Sequence, residues 1–108
     1  MCMPVQHLFN SSGTWVAFRR DQTDRYVFSP QGEWIGWLPW DQRTIVDRQG
    51  QYMGEIYGGN RLLKRLYPPY RGYPGYPGYP GYPGYPGYPG FAGYFRMPLG
   101  FTDVEINA

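Results

Sequence analysis

The strongest constraint on the fold of this chain is a turn pattern that occurs three times. The copies align on Gly13, Gly32 and Gly50, which are 19 and 18 residues apart. They share an apolar residue, then Asn, Ser or Asp, two variable residues, the glycine, a spacer, an aromatic, an aliphatic and a small residue. Repetition at this period predicts structural units that share one core with their neighbours.

Each copy has the chemistry of a tight β-hairpin. A side-chain oxygen at the first turn position accepts a local backbone hydrogen bond, and Pro30 fixes φ at the second position of the central copy. Glycine at the fourth position tolerates the positive φ that closes such a turn. The flanks are rich in β-branched and aromatic residues, which favour strands. Gly36 and Gly54 interrupt these strands and indicate a bend or a close backbone approach.

Three hairpins and the strand-like segment 61–66 require a closing partner. The C-terminus offers one, because residues 94–96, a turn at 97–100 and the segment 101–106 resemble a degenerate fourth unit. Closure of the ring would remove the exposed edges of a small open sheet. The sequence therefore predicts an all-β fold, a small shallow ring or barrel of repeated β-hairpins with roughly four-fold pseudo-symmetry.

A low-complexity Pro/Gly/Tyr insertion, residues 72–90 and here called the tract, precedes the C-terminal segment. Its six Tyr-Pro-Gly triplets place tyrosine at every third position: Tyr73, Tyr76, Tyr79, Tyr82, Tyr85 and Tyr88. Proline at this spacing favours polyproline II, which would align the tyrosines on one face and reach roughly 55 Å when extended. The tract is then a flexible surface insertion, or an aromatic ribbon that docks on a partner, a sheet or a like tract.

The chain is short enough for one domain at most. We divide it into a β-hairpin repeat domain at residues 1–71, the tract at 72–90, and a C-terminal segment at 91–108 that completes the β domain. The Gly-x-Pro period of the tract resembles collagen, but the triplets are few and tyrosine fills every middle position.

Composition narrows the function classes. The formal net charge of +2 is too weak to indicate a nucleic-acid partner. The single cysteine, Cys2, permits no intrachain disulfide and is expected to be an inert terminal thiol; with one histidine, His7, it cannot assemble a Cys/His metal set. No signal-peptide pattern or membrane-length apolar run is visible, so the cytoplasm is the expected compartment, and no cofactor is expected.

No catalytic constellation stands out either. His7 has no obvious nucleophile beside it, while Ser11, Ser29 and Asp47 are explained by their places in the turns. The pair of glycines at 58–59 does not introduce a helix with Lys and Ser/Thr, as a phosphate-binding loop would. We expect no enzyme activity.

Aromatic residues are the remaining functional signal. Trp15, Trp34 and Tyr52 occupy one equivalent position in the repeat and would form a ring of like side chains. That ring is either part of the core or a platform for a peptide, sugar, base or lipid. Trp37 and Trp40 lie outside the repeat pattern and are expected to form an exposed binding or membrane-interface patch.

Several segments of the sequence resemble a known family. They are Leu8-Phe9-Asn10, Val46 to Tyr57 and Asn60-Arg61-Leu62-Leu63, with a Tyr/Gly-rich triplet tract ahead of a short end at 98–104. These segments are similar to the bacterial 4-fold β-flower domain, and the likeness covers most of the chain. The resemblance implies a shallow, roughly four-fold ring of β-hairpins and no catalytic residues, because the family has no established activity. The tract departs from the family's Asn/Gly/Tyr-rich pattern by being rich in proline.

The sequence features above suggest three functions. The first is a non-enzymatic structural or protein-interaction module that binds a protein partner or self-associates through the six tract tyrosines. The alternative is a peripheral membrane or lipid-binding domain that uses Trp37, Trp40 and the Arg-rich connection 19–25. A third, an enzyme with a site at the ring centre, requires a centre that apolar side chains do not fill.

Overall fold

The computed structural model describes residues 4–104, and within that range it contains β-strands and no helix. The strands are β1 (Gln6–Phe9), β2 (Trp15–Arg19), β3 (Tyr26–Phe28), β4 (Trp34–Trp37), β5 (Thr44–Asp47), β6 (Tyr52–Tyr57), β7 (Arg61–Arg65) and β8 (Phe101–Asp103). The predictions for Cys2 and for the end of the segment 101–106 fall outside the described residues.

The strands form one sheet in chain order from β1 to β8, with antiparallel neighbours throughout. β1 also pairs in parallel with β7 through Phe9 and Arg61, and Phe9 N donates a 2.9 Å hydrogen bond to Asn60 O. This contact closes β1–β7 into a barrel, and β8 pairs with β7 as an extra strand. The ring of β-hairpins predicted from the sequence is therefore confirmed.

The three repeated turns have the predicted geometry. The glycine at the fourth turn position has φ of 90° at Gly13, 88° at Gly32 and 87° at Gly50. Asn10 and Asp47 each accept two backbone N–H groups of their own turn at 2.9–3.0 Å, and Ser29 accepts one at 3.2 Å. A register shift follows each turn, which is the signature of a β-bulge that increases local strand twist.

The fourth hairpin begins at a different strand from the one predicted. Residues 94–96 form no strand, and β8 pairs with β7 instead. Leu66 N donates to Gly100 O at 2.9 Å, as Asn10 N donates to Thr14 O at 2.9 Å in the first hairpin. The tract and its flanks are thus an insertion at the tip of the fourth hairpin.

The interior of the barrel is aliphatic. One cluster of buried residues draws on most of the strands and comprises Leu8, Ala17, Val27, Leu38, Ile45, Leu62 and Val104. A Cβ on Gly54 would lie 2.8 Å from Leu63 O, and one on Gly36 would overlap Val46 O, which confirms the predicted close backbone approach. Among the described residues, the centre of the barrel is therefore filled by apolar side chains.

A second cluster is aromatic and contains Phe9, Trp15, Phe18, Phe28, Trp34, Trp37 and Val46. The prediction that Trp37 is exposed is wrong, because only 3% of its surface is accessible. Trp37 is still part of β4, where it pairs with Tyr26 on one side and Val46 on the other, and the Arg25 guanidinium lies 5.3 Å from its ring centroid. Trp40 does keep 37% of its surface exposed.

Candidate interaction surface

The tract crosses the repeated turns in reverse chain order. Tyr73 lies against Gly50, where a Cβ would come within 2.9 Å of the tyrosine ring. Tyr82 lies against Gly32, where a Cβ would overlap the ring. The turn glycines therefore serve two purposes, since they adopt a positive φ and also leave room for the tract.

After each of these two contacts, the next pair of tyrosines in the tract flanks one of the two buried tryptophans of the repeat. The distances between ring centroids are 5.6 Å for Trp34–Tyr76, 5.9 Å for Trp34–Tyr79, 6.0 Å for Trp15–Tyr85 and 6.0 Å for Trp15–Tyr88. Interplanar angles of 56–70° make these tilted or edge-to-face contacts, the arrangement that aromatic quadrupoles favour.

Both tryptophans are held in the same way. Trp15 Nε1 donates to Ala17 O at 2.7 Å, and Trp34 Nε1 donates to Gly36 O at 2.8 Å. Each indole thus satisfies its one polar group on its own strand, two residues along. The remaining ring surface is left to pack against the aromatic cluster and the tract.

The tract advances by nine residues for each hairpin that it passes. Tyr82 follows Tyr73 by nine residues, and the pair that flanks Trp15 follows the pair that flanks Trp34 by nine. A further advance of nine from Tyr82 reaches Phe91, and the next residue, Ala92, donates its N–H to Gly13 O at 3.0 Å. Three triplets therefore match one hairpin with its link.

A buried arginine anchors the segment that directly follows the tract. Arg61, only 6% exposed, donates to Gly93 O at 2.8 Å, to Asn10 O at 3.0 Å and to Ala92 O at 3.1 Å. Its guanidinium lies 5.2 Å from the centroid of the Phe95 ring. The side chain thus joins the first turn to the end of the tract, a role that no local sequence pattern indicated.

The tract is not a polyproline II helix. Its glycines all have φ between 82° and 91°, whereas polyproline II has a negative φ at every residue. The largest dimension of the molecule is 35 Å, shorter than the roughly 55 Å of an extended tract, so the ribbon bends around the barrel. Tyr26 Oη also donates to Pro77 O at 3.2 Å, which adds a polar contact along the way.

The six tract tyrosines remain largely accessible in spite of these contacts. Their exposed fractions lie between 60% and 71%, while most of the prolines and glycines between them are partly buried. The exposed sides of Tyr73 to Tyr88 are here called the outward tyrosine face. All six predicted tyrosines keep exposed sides along the ribbon, whereas Trp37 is buried within the sheet and Trp40 contacts Arg71 just before the tract.

The third hairpin replaces an aromatic residue with a carboxylate. Glu55, 3% exposed, stands where the first two hairpins have Phe18 and Trp37. It accepts hydrogen bonds from Arg43 Nε, from Arg65 Nε at 2.6 Å and from Tyr52 Oη at 3.2 Å. The break in the repeat was the one sequence signal for this polar cluster.

Tyr52 is tied into this cluster and differs from its tryptophan counterparts. Its hydroxyl also accepts a hydrogen bond from Arg65 N at 3.0 Å. Burial is the main cause that raises the pKa of Tyr52 to about 12. The expected ring of like side chains is therefore incomplete, since Trp15 and Trp34 are buried in the aromatic cluster and Tyr52 lies outside it.

Residues 4–104 contain no helix long and apolar enough to cross a membrane. In the same part of the chain, no three His, Cys, Asp or Glu side chains come together in a way that could hold a metal ion.

Comparison with known families shows which family this sequence matches. The sequence model described as "4-fold beta flower protein" matches residues 2–97, which include the three repeated hairpins, β7 and the tract. Searches among curated proteins and among solved structures found no match. The matched description names a fold and no activity.

Proposed function

We propose that this chain, which belongs to the 4-fold beta flower protein family, is a non-enzymatic protein-interaction module. The barrel holds the tract in one conformation, and the outward tyrosine face binds a protein partner. The family membership confirms the resemblance found in the sequence, while the role of the tract is our inference.

One observation carries this proposal: six tyrosines are 60–71% exposed on a ribbon that the barrel already holds in place. Tyrosine supplies a large contact area and a hydroxyl with few rotatable bonds, which is why it is frequent in binding surfaces. Because the ribbon is ordered before binding, less conformational entropy is lost on association. Exposed aromatic side chains in such number along one segment are typical of interaction sites.

The chemistry of the face indicates the kind of partner. Residues 73–90 consist of Tyr, Pro and Gly alone, so the face carries no charge. A matching protein surface would offer apolar or proline-rich area for the rings and carbonyl or carboxylate oxygens for the hydroxyls. Binding should accordingly depend little on salt, since screening acts on charged pairs.

The alternative function, membrane or lipid binding, is less well supported because one of its two tryptophans is buried. Of the two tryptophans that motivated it, Trp37 is 3% exposed and cannot insert into a lipid interface. Trp40 is 37% exposed, and the Arg71 guanidinium lies 4.7 Å from the centroid of its ring. We therefore retain lipid binding as an outcome of the test rather than as a second proposal.

The test compares the intact chain with two variants in pull-down experiments from the source organism. One variant replaces residues 73–90 with a Gly/Ser linker of equal length, and the other changes all six tract tyrosines to phenylalanine. We expect a partner that binds the intact chain at both low and high salt, is lost with the linker, and is weakened by the phenylalanine variant, which keeps the rings but removes the hydroxyls.

If every captured protein remains bound when the linker replaces the tract, the proposal is wrong. Co-sedimentation with anionic lipid vesicles at low salt provides the second arm. Tract-dependent binding to vesicles without any tract-dependent protein partner would replace the protein-interaction module with a lipid-binding one.

A further inference from the structure

The nine-residue spacing of the tract predicts a third pair of docked tyrosines, at the third hairpin. No such pair is docked there. Nine residues before Tyr76 and Tyr79 stand Tyr67 and Tyr70, which would flank Tyr52 of the third hairpin. Both are instead 93% exposed. The first two hairpins thus have their tyrosine pairs docked, and the third has none.

Proline explains why the ribbon stops there. Every tract triplet ends in a glycine with φ between 82° and 91°, and the same position of the triplet 67–69 is occupied by Pro69. The proline ring fixes φ near −65°. The ribbon conformation therefore cannot continue back to Tyr67, and the seat beside Tyr52 stays open.

A pocket of about 440 Å³ lies at that seat. Its lining includes Trp40, Tyr52, Pro69, Tyr70, Arg71 and Tyr73. Arg71 Nη1 lies 3.1 Å from Asp41 Oδ2, so the one charge in this lining is paired. The lining is thus largely aromatic, with the uncharged amides of Gln49 and Gln51 and no unpaired charge, which matches the chemistry of an uncharged Tyr-Pro segment.

We propose that this pocket is a self-association site that receives residues 67–70 of a second copy of the chain. The pocket lies where the next nine-residue step of the tract along the barrel would be. The segment 67–70 has the same tyrosine and proline residues that dock on the first two hairpins. A segment from another molecule is not covalently continuous with the docked tract, so it can approach the pocket in an orientation that does not require a positive φ at Pro69.

The geometry favours a two-fold dimer. The donor segment and the receiving pocket are neighbours on one surface, because Pro69 and Tyr70 belong to both. Each copy can therefore donate its segment to the other across a single axis, which closes the assembly at two copies. This site is separate from the outward tyrosine face, so it does not depend on the function proposed for that face.

The test is sedimentation equilibrium of the full chain over a wide concentration range. We expect a reversible dimer whose dissociation constant rises at least tenfold in Tyr67→Ser, because the donor ring is lost. The fold should be unaffected, since Tyr67 is 93% exposed. Tyr94→Ser is the matched control, an 80% exposed tyrosine away from the pocket, and it should leave the dimer unchanged.

A mixing experiment makes the test sharper. Trp40→Ala damages the pocket but leaves the donor segment, and Tyr67→Ser does the reverse. In a two-fold dimer, a mixture of the two variants retains one intact donor–pocket pair, so the mixed dimer should form more readily than either variant with itself. Thermal melts of both variants establish that each is folded.

The proposal is overturned if the chain is monomeric at its highest soluble concentration. It is also overturned if Tyr67→Ser and Trp40→Ala leave the dimer intact. A dimer that disappears when the tract is replaced by a Gly/Ser linker but survives Tyr67→Ser would assign self-association to the outward tyrosine face.

Discussion

Glycine at the fourth turn position is the residue on which both the hairpin and the tract depend. At Gly32 the backbone has φ of 88°, which an L side chain rarely adopts, and the Tyr82 ring occupies the space of a missing Cβ. Gly59 separates the two effects, because its φ is 92° but nothing lies within 4 Å of the place of its Cβ.

We expect Gly32→Ala to cost more than Gly59→Ala in free energy of unfolding. The positive φ alone should cost about 1 to 2 kcal/mol at either position. Overlap with the Tyr82 ring should add about 1 kcal/mol or more at Gly32. Urea unfolding of both variants measures the difference.

A double-mutant cycle identifies the source of that difference. In a Tyr82→Ala background, Gly32→Ala should cost about as much as Gly59→Ala, because the ring that it displaces is gone. An equal cost of Gly32→Ala with and without the Tyr82 ring would mean that the tract does not pack on this turn.

Tyr52 makes stability depend on pH in the alkaline range. Burial raises its pKa to about 12, above the value of about 10 in an unfolded chain. The neutral hydroxyl is favoured in the folded state, so this contribution is complete below pH ~10 and is lost as pH rises to ~12. Its size should be about 1 to 2 kcal/mol after allowance for partial exposure.

The measurement is the unfolding free energy at several pH values between 9 and 12. Tyr52→Phe should flatten the decline, because the ionising group is absent. Tyr94→Phe, which removes an exposed hydroxyl, should decline as the unaltered chain does. Equal slopes in all three proteins would show that Tyr52 does not govern this range.

The sequence predicts the roles of residues that act through local bonds but not of those that act through long-range contacts. The roles of Asn10, Asp47 and the turn glycines follow from bonds within a few residues, so the sequence indicated them. The burial of Trp37 depends on strands that pair on both sides of it, and Arg61 joins segments far apart in the chain. Neither of these contacts leaves a mark on the neighbouring sequence.

At the scale of elements, the fourth hairpin shows where pattern reasoning failed. The first three hairpins have strands separated by a short turn, so the repeat indicated both strands at once. In the fourth, the insertion separates β7 from β8, and the nearer segment 94–96 looked like the missing strand. The feature that the fourth hairpin shares with the first is the hydrogen bond between Leu66 N and Gly100 O, two atoms that come together only in the folded chain.

The end of this insertion should depend on Arg61. We expect Arg61→Lys to lower the free energy of unfolding by about 2 kcal/mol, because an ammonium cannot span three carbonyl oxygens as the guanidinium fork does. Amide hydrogen exchange at Ala92 and Phe95, which donate to Gly13 O and Ser11 O, should become faster.

Arg96→Lys provides the control for that variant, since Arg96 is exposed and lies close in sequence to the same anchor. It should change neither stability nor exchange. If Arg61→Lys leaves the exchange of Ala92 and Phe95 at the rate of the unaltered chain, the arginine does not hold the tract.

At the scale of the whole molecule, the tract acts as part of the fold. We expect replacement of residues 73–90 by a Gly/Ser linker of equal length to lower the free energy of unfolding by a few kcal/mol, a large fraction for a small domain. Equal length keeps the entropy of loop closure similar, so the loss reports on contacts. Trp15 and Trp34 would become more exposed, and a red shift in tryptophan fluorescence follows.

If the linker variant has the same tryptophan emission and melting curve as the unaltered chain, the tract is a free arm that does not pack on the barrel. The sequence left this question open, because glycine permits both signs of φ and the contacts with the turns decide between them. Composition could show that the tract is repetitive and aromatic, but the fit of its period to that of the barrel exists only once the barrel has formed.

Because the two periods match, the length of the tract determines how many hairpins of the barrel it can span. Six triplets, Tyr73 to Gly90, span the two steps from the third turn to the first, at three triplets for each step. A related chain whose ribbon crosses one step should then carry three triplets, and one that crosses three steps should carry nine. Counting triplets in a sequence would give the number of hairpins that the ribbon spans, and a tract of four or five should bulge or leave one end undocked.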